Sequence, residues 1–225
     1  MKILSLVLIF VILLTPLAVF AENTIAPELN HPITFQVDGD VVNIVVFVNI
    51  TGGGANLAIG GTTYAQAAID GIIYNWSGDK DGIYVNVVII DVADNPLIRA
   101  NQRALNIIIR EGTGISQLLD YRRWSPRTPG TILLFQGDFR CPIHRDAHRY
   151  RLSEFMSVSA HEFGHALGIS DNTQRRDIIT IMGNSVWDTT ATRLDLELAL
   201  MANRSRRWQR FENNLNLIRS FGSFF

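Results

Sequence analysis

The chain has 225 residues, of which 47% are hydrophobic and 18% charged, and its formal net charge at pH 7 is -1. This composition excludes an intrinsically disordered chain, and the balance of acidic and basic residues argues against a nucleic-acid partner. The length suits one domain with short extensions. Because Cys141 is the single cysteine, no intrachain disulfide can form.

The first 21 residues are typical of a secretory signal peptide. Lys2 precedes the apolar run 3–14, and Ala21 is the expected cleavage point. An uncleaved membrane anchor is the alternative, since the apolar region approaches the length of a membrane span. Pro16 favours cleavage. We therefore expect a secreted or periplasmic protein with no stable membrane span after cleavage, in which residues 22–40 are a lead-in or short pro-segment.

Hydrophobic periodicity predicts strands and helices that alternate from residue 41 to residue 203. The expected fold class is α/β (or α+β), with a twisted, mostly parallel sheet of four to five strands. A backing helix, a helix that carries a histidine motif and a C-terminal helix complete the domain. The predicted strands are 41–50, 84–92, 105–110 and 131–136, and the predicted helices are 62–76, 153–167 and 190–203.

The second predicted helix contains the motif His161-Glu162-Phe163-Gly164-His165. Residues at i and i+4 lie on the same face of a helix, so His161 and His165 can bind one ion. Zinc held by three protein ligands keeps a fourth position open for water and lowers the pKa of that water to about 7. Glu162 lies next to the first histidine, where it can act as the general base.

The third ligand is expected shortly after the helix. Gly168 can adopt a positive φ and turn the chain back, which brings the Asp171 carboxylate towards the two histidines. Asp177, Asp188 and Glu197 are the competing candidates. Glu197 lies on the next predicted helix, but a glutamate ligand from there would leave Gly168 without a role, so Asp171 is favoured.

The pattern HExxHxxGxxD, followed by Thr180-Ile181-Met182-Gly183, resembles that of the metzincin clan of zinc peptidases, and it is most similar to the snapalysin type. The resemblance implies a metzincin-like fold over residues 41–204, one catalytic zinc ion, and Met182 as a structural methionine turn beneath it. The chain departs from the snapalysin pattern in lacking its two cysteines. It also has no tyrosine directly after the methionine turn.

The resemblance implies a secreted metalloendopeptidase (EC 3.4.24-type) that acts on proteins or peptides, and we expect a monomer. Clan members pair an extended substrate with a strand at the cleft, a role for residues 131–136 or a neighbouring strand. Two alternatives are a non-catalytic binding or adhesion protein on the same scaffold, and a protease toxin of narrow specificity.

A second group of metal-type residues contains Cys141, His144, Asp146 and His148. It could form another metal site, since the two histidines are four residues apart. Cys141 could also be a latency ligand for the zinc. The third interpretation is a polar surface loop with one thiol.

Two further features leave alternatives open. The acidic pairs Asp38/Asp40 and Asp79/Asp81 lie beside glycines, which indicates turns, with a structural calcium ion as the other possibility. The basic and aromatic tail, residues 205–225, could pack on its own domain or contact a membrane surface.

Overall fold

The computed structural model describes residues 31–94, 103–138, 148–171, 180–183 and 190–210. The signal segment and the first part of the lead-in therefore lie outside the described residues. The α-helices of the described ranges are α1 (Tyr64–Trp76), α2 (Leu152–Ala166) and α3 (Arg193–Ser205). The strands are β1 (Ile33–Asp38), β2 (Val41–Thr51), β3 (Ala58–Ile59), β4 (Thr62–Thr63), β5 (Gly78–Lys80), β6 (Ile83–Asp91), β7 (Leu105–Thr113), β8 (Gln117–Leu119), β9 (Thr131–Asp138) and β10 (His148–Arg149).

Eight strands form one mixed sheet, and β3 and β4 form a separate hairpin. The long strands β6, β2, β7 and β9 are neighbours in that order, and every pair among them is parallel. Shorter antiparallel strands extend this centre: β1 on β2, β5 on β6, and both β8 and β10 on β9. The predicted α/β class with a mostly parallel sheet is confirmed.

The expected number of four to five strands is too low, for two physical reasons. Strands β5, β8 and β10 contain two or three residues each, too few for a hydrophobic pattern to appear in the sequence. Strand β1 lies in the segment interpreted as a lead-in, yet it pairs with β2 along its whole length and buries Ile33.

Strand β9 lies inside the sheet, so the expectation that residues 131–136 offer a free edge to a substrate is wrong. Strand β7 pairs along one edge of β9, and β8 pairs with its first three residues on the other edge. The Gln136 carbonyl accepts a hydrogen bond from the Tyr150 N–H. The alternative that the sequence left open, a neighbouring strand, still stands: among the described strands, β8 and β10 each pair with β9 alone and so have an edge without a strand partner.

Helices α1 and α2 pack closely together, and Gly71 sets their distance of approach. A methyl group added at Gly71 would overlap the backbone of Met156 on α2. Trp76, at the end of α1, is buried and donates its indole N–H to the Ala160 carbonyl at 2.9 Å. Its ring also contacts Phe163 edge-on, with centroids 5.8 Å apart. The backing helix therefore fixes the helix that carries the histidines.

Capping interactions determine where the helices begin. In α1 the Thr63 hydroxyl accepts a hydrogen bond from the Gln66 N–H at 3.1 Å. Helix α2 begins at Leu152, not after Ser153, because the Glu154 carboxylate accepts the Arg151 N–H at 2.8 Å. None of the helices in the described ranges is long and apolar enough to span a membrane.

We predict that Gly71→Ala destabilises the protein by about 1–3 kcal/mol, because overpacking against the α2 backbone outweighs the better helix propensity of alanine. Urea unfolding measures the change. Gly53→Ala is the matched control, since the nearest atoms to its added methyl belong to the flexible Glu111 side chain. Equal stability of the two variants would contradict the close packing of α1 on α2.

Candidate metal centre

The structure brings together the three ligand candidates that the sequence favoured. His161 and His165 lie on successive turns of α2, and their side chains are largely buried. The Oδ1 atom of Asp171 lies 3.2 Å from His161 Nε2 and 3.3 Å from His165 Nε2. Asp171 itself is half-exposed, so the group opens to solvent on the carboxylate side.

Backbone carbonyls orient both histidine rings. His161 Nδ1 lies 2.8 Å from the Ile181 carbonyl oxygen, and His165 Nδ1 lies 2.8 Å from the Ile169 carbonyl oxygen. Because a carbonyl oxygen can only accept, each Nδ1 carries the proton and donates it. In the neutral rings the lone pair is therefore on Nε2, which faces Asp171. This arrangement is typical of histidine metal ligands.

The spacing of the three atoms fits a small tetrahedral ion. Ligand atoms about 2.0–2.1 Å from zinc lie about 3.3 Å apart along the edge of a tetrahedron. The two measured distances from Asp171 Oδ1 agree with that edge. Two imidazole nitrogens and one carboxylate oxygen are also a donor set that zinc accepts. His161, His165 and Asp171 can thus hold such an ion with one position left for water or substrate.

Gly168 makes the sharp bend between His165 and Asp171. Its φ is +95°, a conformation that residues with a Cβ rarely adopt. A Cβ at this position would also overlap the ring of Trp124, whose indole N–H donates to the Ala166 carbonyl at 2.9 Å. Both the backbone conformation and the space therefore require glycine here.

Glu162 is buried beside the two histidines. Its Oε2 atom has no hydrogen-bond partner among the described residues. Burial raises the pKa of Glu162, while the histidines and the Leu118 backbone N–H lower it. An unpartnered buried oxygen is costly unless a bound group satisfies it. A water molecule on an ion held by the three ligands is a group of that kind.

Residues 180–183, for which the sequence predicts a methionine turn, pack against the histidine helix. Met182 is fully buried, and its sulfur lies so close to Gly164 that a Cβ there would overlap it. Its neighbour Ile181 supplies the carbonyl that orients His161.

On α3, the buried Asp195 accepts hydrogen bonds from the Thr192 N–H and hydroxyl, at 2.7 and 2.8 Å. Burial raises the pKa of Asp195 to about 6.

Residues 208–210, here named the strap, hold the metal-binding loop from the other side. The Gln209 N–H donates to the Gly168 carbonyl at 2.7 Å, and the Ser170 N–H donates to the Gln209 carbonyl at 2.9 Å. The Trp208 ring stacks on His165, with centroids 5.9 Å apart and planes 19° apart. The described part of the tail thus packs on its own domain, one of the two possibilities that the sequence left open. The segment it pairs with was not predicted, because nothing local in a basic and aromatic tail indicates it.

Other predicted residues do not join the group. Glu197 pairs with Arg193 on α3 at 2.9 Å. The Asp79 carboxylate accepts the Gly82 N–H at 3.0 Å, as expected for a turn. Within the described ranges, His161, His165 and Asp171 are the one cluster of three or more His, Cys, Asp or Glu residues that could hold a metal ion. The remaining residues that the sequence offered as ligands lie outside the described ranges. They are Asp177, Asp188, Cys141, His144 and Asp146, together with the side chain of His148.

His161, Glu162 and Asp171 lie so close together that the charge on each changes the pKa values of the others. Burial acts to lower the pKa of His161, but the Asp171 carboxylate and Glu162 outweigh it and raise that pKa to about 9. Burial also acts to raise the pKa of Asp171, but hydrogen bonds to both histidines bring it well below its usual range. Without metal, His161 and Asp171 therefore form an ion pair at neutral pH.

Comparison with known proteins returns no relative. No protein-family model matches the sequence, and neither a curated protein nor a solved structure matches it. The metal centre is therefore inferred from the geometry of His161, His165 and Asp171. Its pattern is that of an HExxH-type site.

We predict that Gln209→Pro lowers zinc affinity about 10–100-fold, the usual effect of losing an interaction that orients a ligand. Proline removes the N–H that donates to the Gly168 carbonyl. Gln209→Ala is the matched control, because it keeps this N–H. Competition with a chromophoric chelator measures the affinity. Equal affinities for the two variants would show that the strap does not support the loop.

We also predict that zinc binding at pH 7–8 releases about one proton, because zinc requires a neutral imidazole and His161 is protonated below its pKa of about 9. Apparent affinity should then fall about tenfold for each pH unit below that value. Calorimetry in buffers of different ionisation enthalpy counts the protons.

Asp171→Asn should reduce both the proton release at pH 8 and the affinity, since it removes the carboxylate that keeps His161 charged. Asp70→Asn, on the exposed side of α1 and hydrogen-bonded only to Gln66 in its own helix, serves as the control. Proton release that is unchanged in Asp171→Asn would contradict the coupling of these two side chains.

Proposed function

We propose that the protein is an exported zinc-dependent endopeptidase. The observation that carries the proposal is the convergence of His161, His165 and Asp171, with the unpartnered oxygen of Glu162 beside them. The resemblance of the motif to the metzincin clan, and to the snapalysin type within it, supports the same function. The signal-peptide pattern supports export, either to the medium or to the periplasm.

Zinc, when bound, would lower the pKa of a water molecule and polarise the scissile carbonyl. His161, His165 and Asp171 would hold the ion, and the Ile181 and Ile169 carbonyls keep the two rings in the required orientation. Met182 would serve as the apolar floor. Its burial against Gly164 supports that structural role.

Glu162 would act as the general base and then as the acid. Its raised pKa suits a carboxylate that must accept a proton from water and later deliver it to the leaving amine. The Leu118 N–H, which lies against the same carboxylate, keeps it in position. This contact keeps Glu162 beside β8.

Strand β8 is the proposed docking edge for the substrate. It pairs with β9 on one side, and Leu118 borders Glu162 on the other. A peptide added to that edge would pair with main-chain groups of β8 other than the Leu118 N–H, which Glu162 already accepts, and would lie beside the histidine ligands. The substrate class that fits is an extended protein segment or peptide. We expect the enzyme to act as a monomer.

The first alternative, a non-catalytic binding protein, gives Glu162 no purpose. Leaving a carboxylate oxygen buried without a partner costs about 1–3 kcal/mol or more, which a mere scaffold has no need to sustain. The second alternative, a protease toxin of narrow specificity, uses the same chemistry and differs only in substrate. A peptide-library digest separates the two: broad cleavage supports a general endopeptidase, and one sharp motif supports a toxin.

Glu162→Gln tests the mechanism. We expect it to retain zinc and to lose proteolysis of casein at least about 100-fold, because the amide cannot accept the proton from water. Glu197→Gln is the matched control. Its carboxylate pairs with Arg193, away from the metal group, and its activity should be unchanged.

Two outcomes would overturn the proposal. One is a pure Glu162→Gln protein that digests casein as fast as the parent. The other is a folded parent protein that takes up no zinc by elemental analysis. Loss of activity in Glu197→Gln together with loss of zinc would instead transfer the third-ligand role from Asp171 to Glu197.

A further inference from the structure

We infer that Tyr121 and Trp208 form an aromatic subsite that selects the residues on the N-terminal side of the scissile bond. This inference rests on the proposed peptidase function and adds a specificity determinant to it. Neither residue belongs to the histidine motif or to the methionine turn. They come together because the chain after β8 and the strap meet beside His165.

The rings form a continuous surface that begins at the metal ligand. Trp208 stacks on His165, and Tyr121 contacts the Trp208 ring at 5.9 Å between centroids, tilted by 50°. Behind them the buried Trp124 meets Trp208 edge-on at 6.1 Å. Trp208 is therefore held from two sides, and the hydrogen bonds of Gln209 anchor the strap that carries it.

The outer part of this surface is open to solvent. Tyr121 is 50% exposed and is one of several large hydrophobic side chains at the surface among the described residues. Unlike Tyr74 or Tyr84, Tyr121 combines this exposure with a ring contact to Trp208, so its exposed half continues the ring surface that begins at His165. A side chain of matching shape could bury that surface, and aromatic pairs contribute about 0.5–1.5 kcal/mol beyond the area they bury.

The direction of β8 shows which part of a substrate reaches the rings. Leu118 borders Glu162, and β8 ends one residue later, at Leu119. Asp120 then has a φ of +61°, which turns the chain towards Tyr121. We place the peptide antiparallel to β8, as β9 is on the opposite edge of that strand. In this orientation its N-terminal side points towards Tyr121, at about 3.3 Å per residue. The first three residues before the scissile bond lie within reach.

The charge beside the subsite narrows the choice of side chain. The Arg122 guanidinium lies 6.0 Å from the centre of the Tyr121 ring. A lysine or arginine in the substrate would meet this positive charge, whereas an aromatic or large aliphatic side chain would stack on the rings. The subsite thus fits phenylalanine, tyrosine, tryptophan or leucine within three residues before the cleaved bond.

The test compares Tyr121→Ala with the parent on a peptide library and on matched peptides. The matched peptides carry phenylalanine or alanine at each of the three positions before the cleaved bond. We expect the parent to prefer phenylalanine at one of them by up to about tenfold in kcat/KM, and Tyr121→Ala to lose that preference. Tyr74→Ala, which removes a 71% exposed tyrosine on α1, should behave as the parent.

Zinc content should stay the same in all three proteins, and Tyr121→Ala should lower kcat/KM for the phenylalanine peptide more than for the alanine peptide, which separates a subsite from a structural role. Trp208→Phe, which keeps an aromatic ring on His165, should retain the preference in part. If Tyr121→Ala keeps the full preference, or if the preference lies after the cleaved bond, the subsite is wrong while the peptidase function stands. A zinc-loaded parent that cleaves no peptide overturns both.

Discussion

The metal centre depends on one bend in the backbone. Two imidazoles from successive turns of α2 can meet a carboxylate only if the chain reverses within a few residues after the helix, and Gly168 provides that reversal with its φ of +95°. Trp124 fills the space where a side chain would be, and Gln209 binds the glycine carbonyl. The bend is thus determined by one residue type and stabilised by two distant segments.

Local physics explains what the sequence could predict. The i and i+4 spacing on a helix places His161 beside His165, and a glycine in a left-handed conformation returns the chain to Asp171. The α/β class followed in the same way from hydrophobic runs such as those of β2 and β6, which are neighbouring parallel strands that bury alternate residues.

What the sequence could not predict is non-local. Strand β8 has only three residues, and its place beside Glu162 depends on pairing with β9. The strap pairs with residues about forty positions earlier through two backbone hydrogen bonds, which depend on no particular side chain. Strand β1 is different, because Ile33, Phe35 and Val37 alternate with polar residues, the pattern of a strand. It was missed because the whole segment 22–40 was interpreted as a lead-in, yet it pairs with residues 41–46 of β2.

The two indole hydrogen bonds on α2 have a consequence for metal selectivity. The Trp76 indole donates to the Ala160 carbonyl and the Trp124 indole donates to the Ala166 carbonyl. The helical turn from His161 to His165 is therefore hydrogen-bonded to a tryptophan at each end. The backbone that carries the two imidazoles is therefore held at a fixed spacing. Calcium needs six to eight oxygen ligands at about 2.3–2.6 Å, so a group with two nitrogen donors on a fixed backbone favours a smaller ion such as zinc.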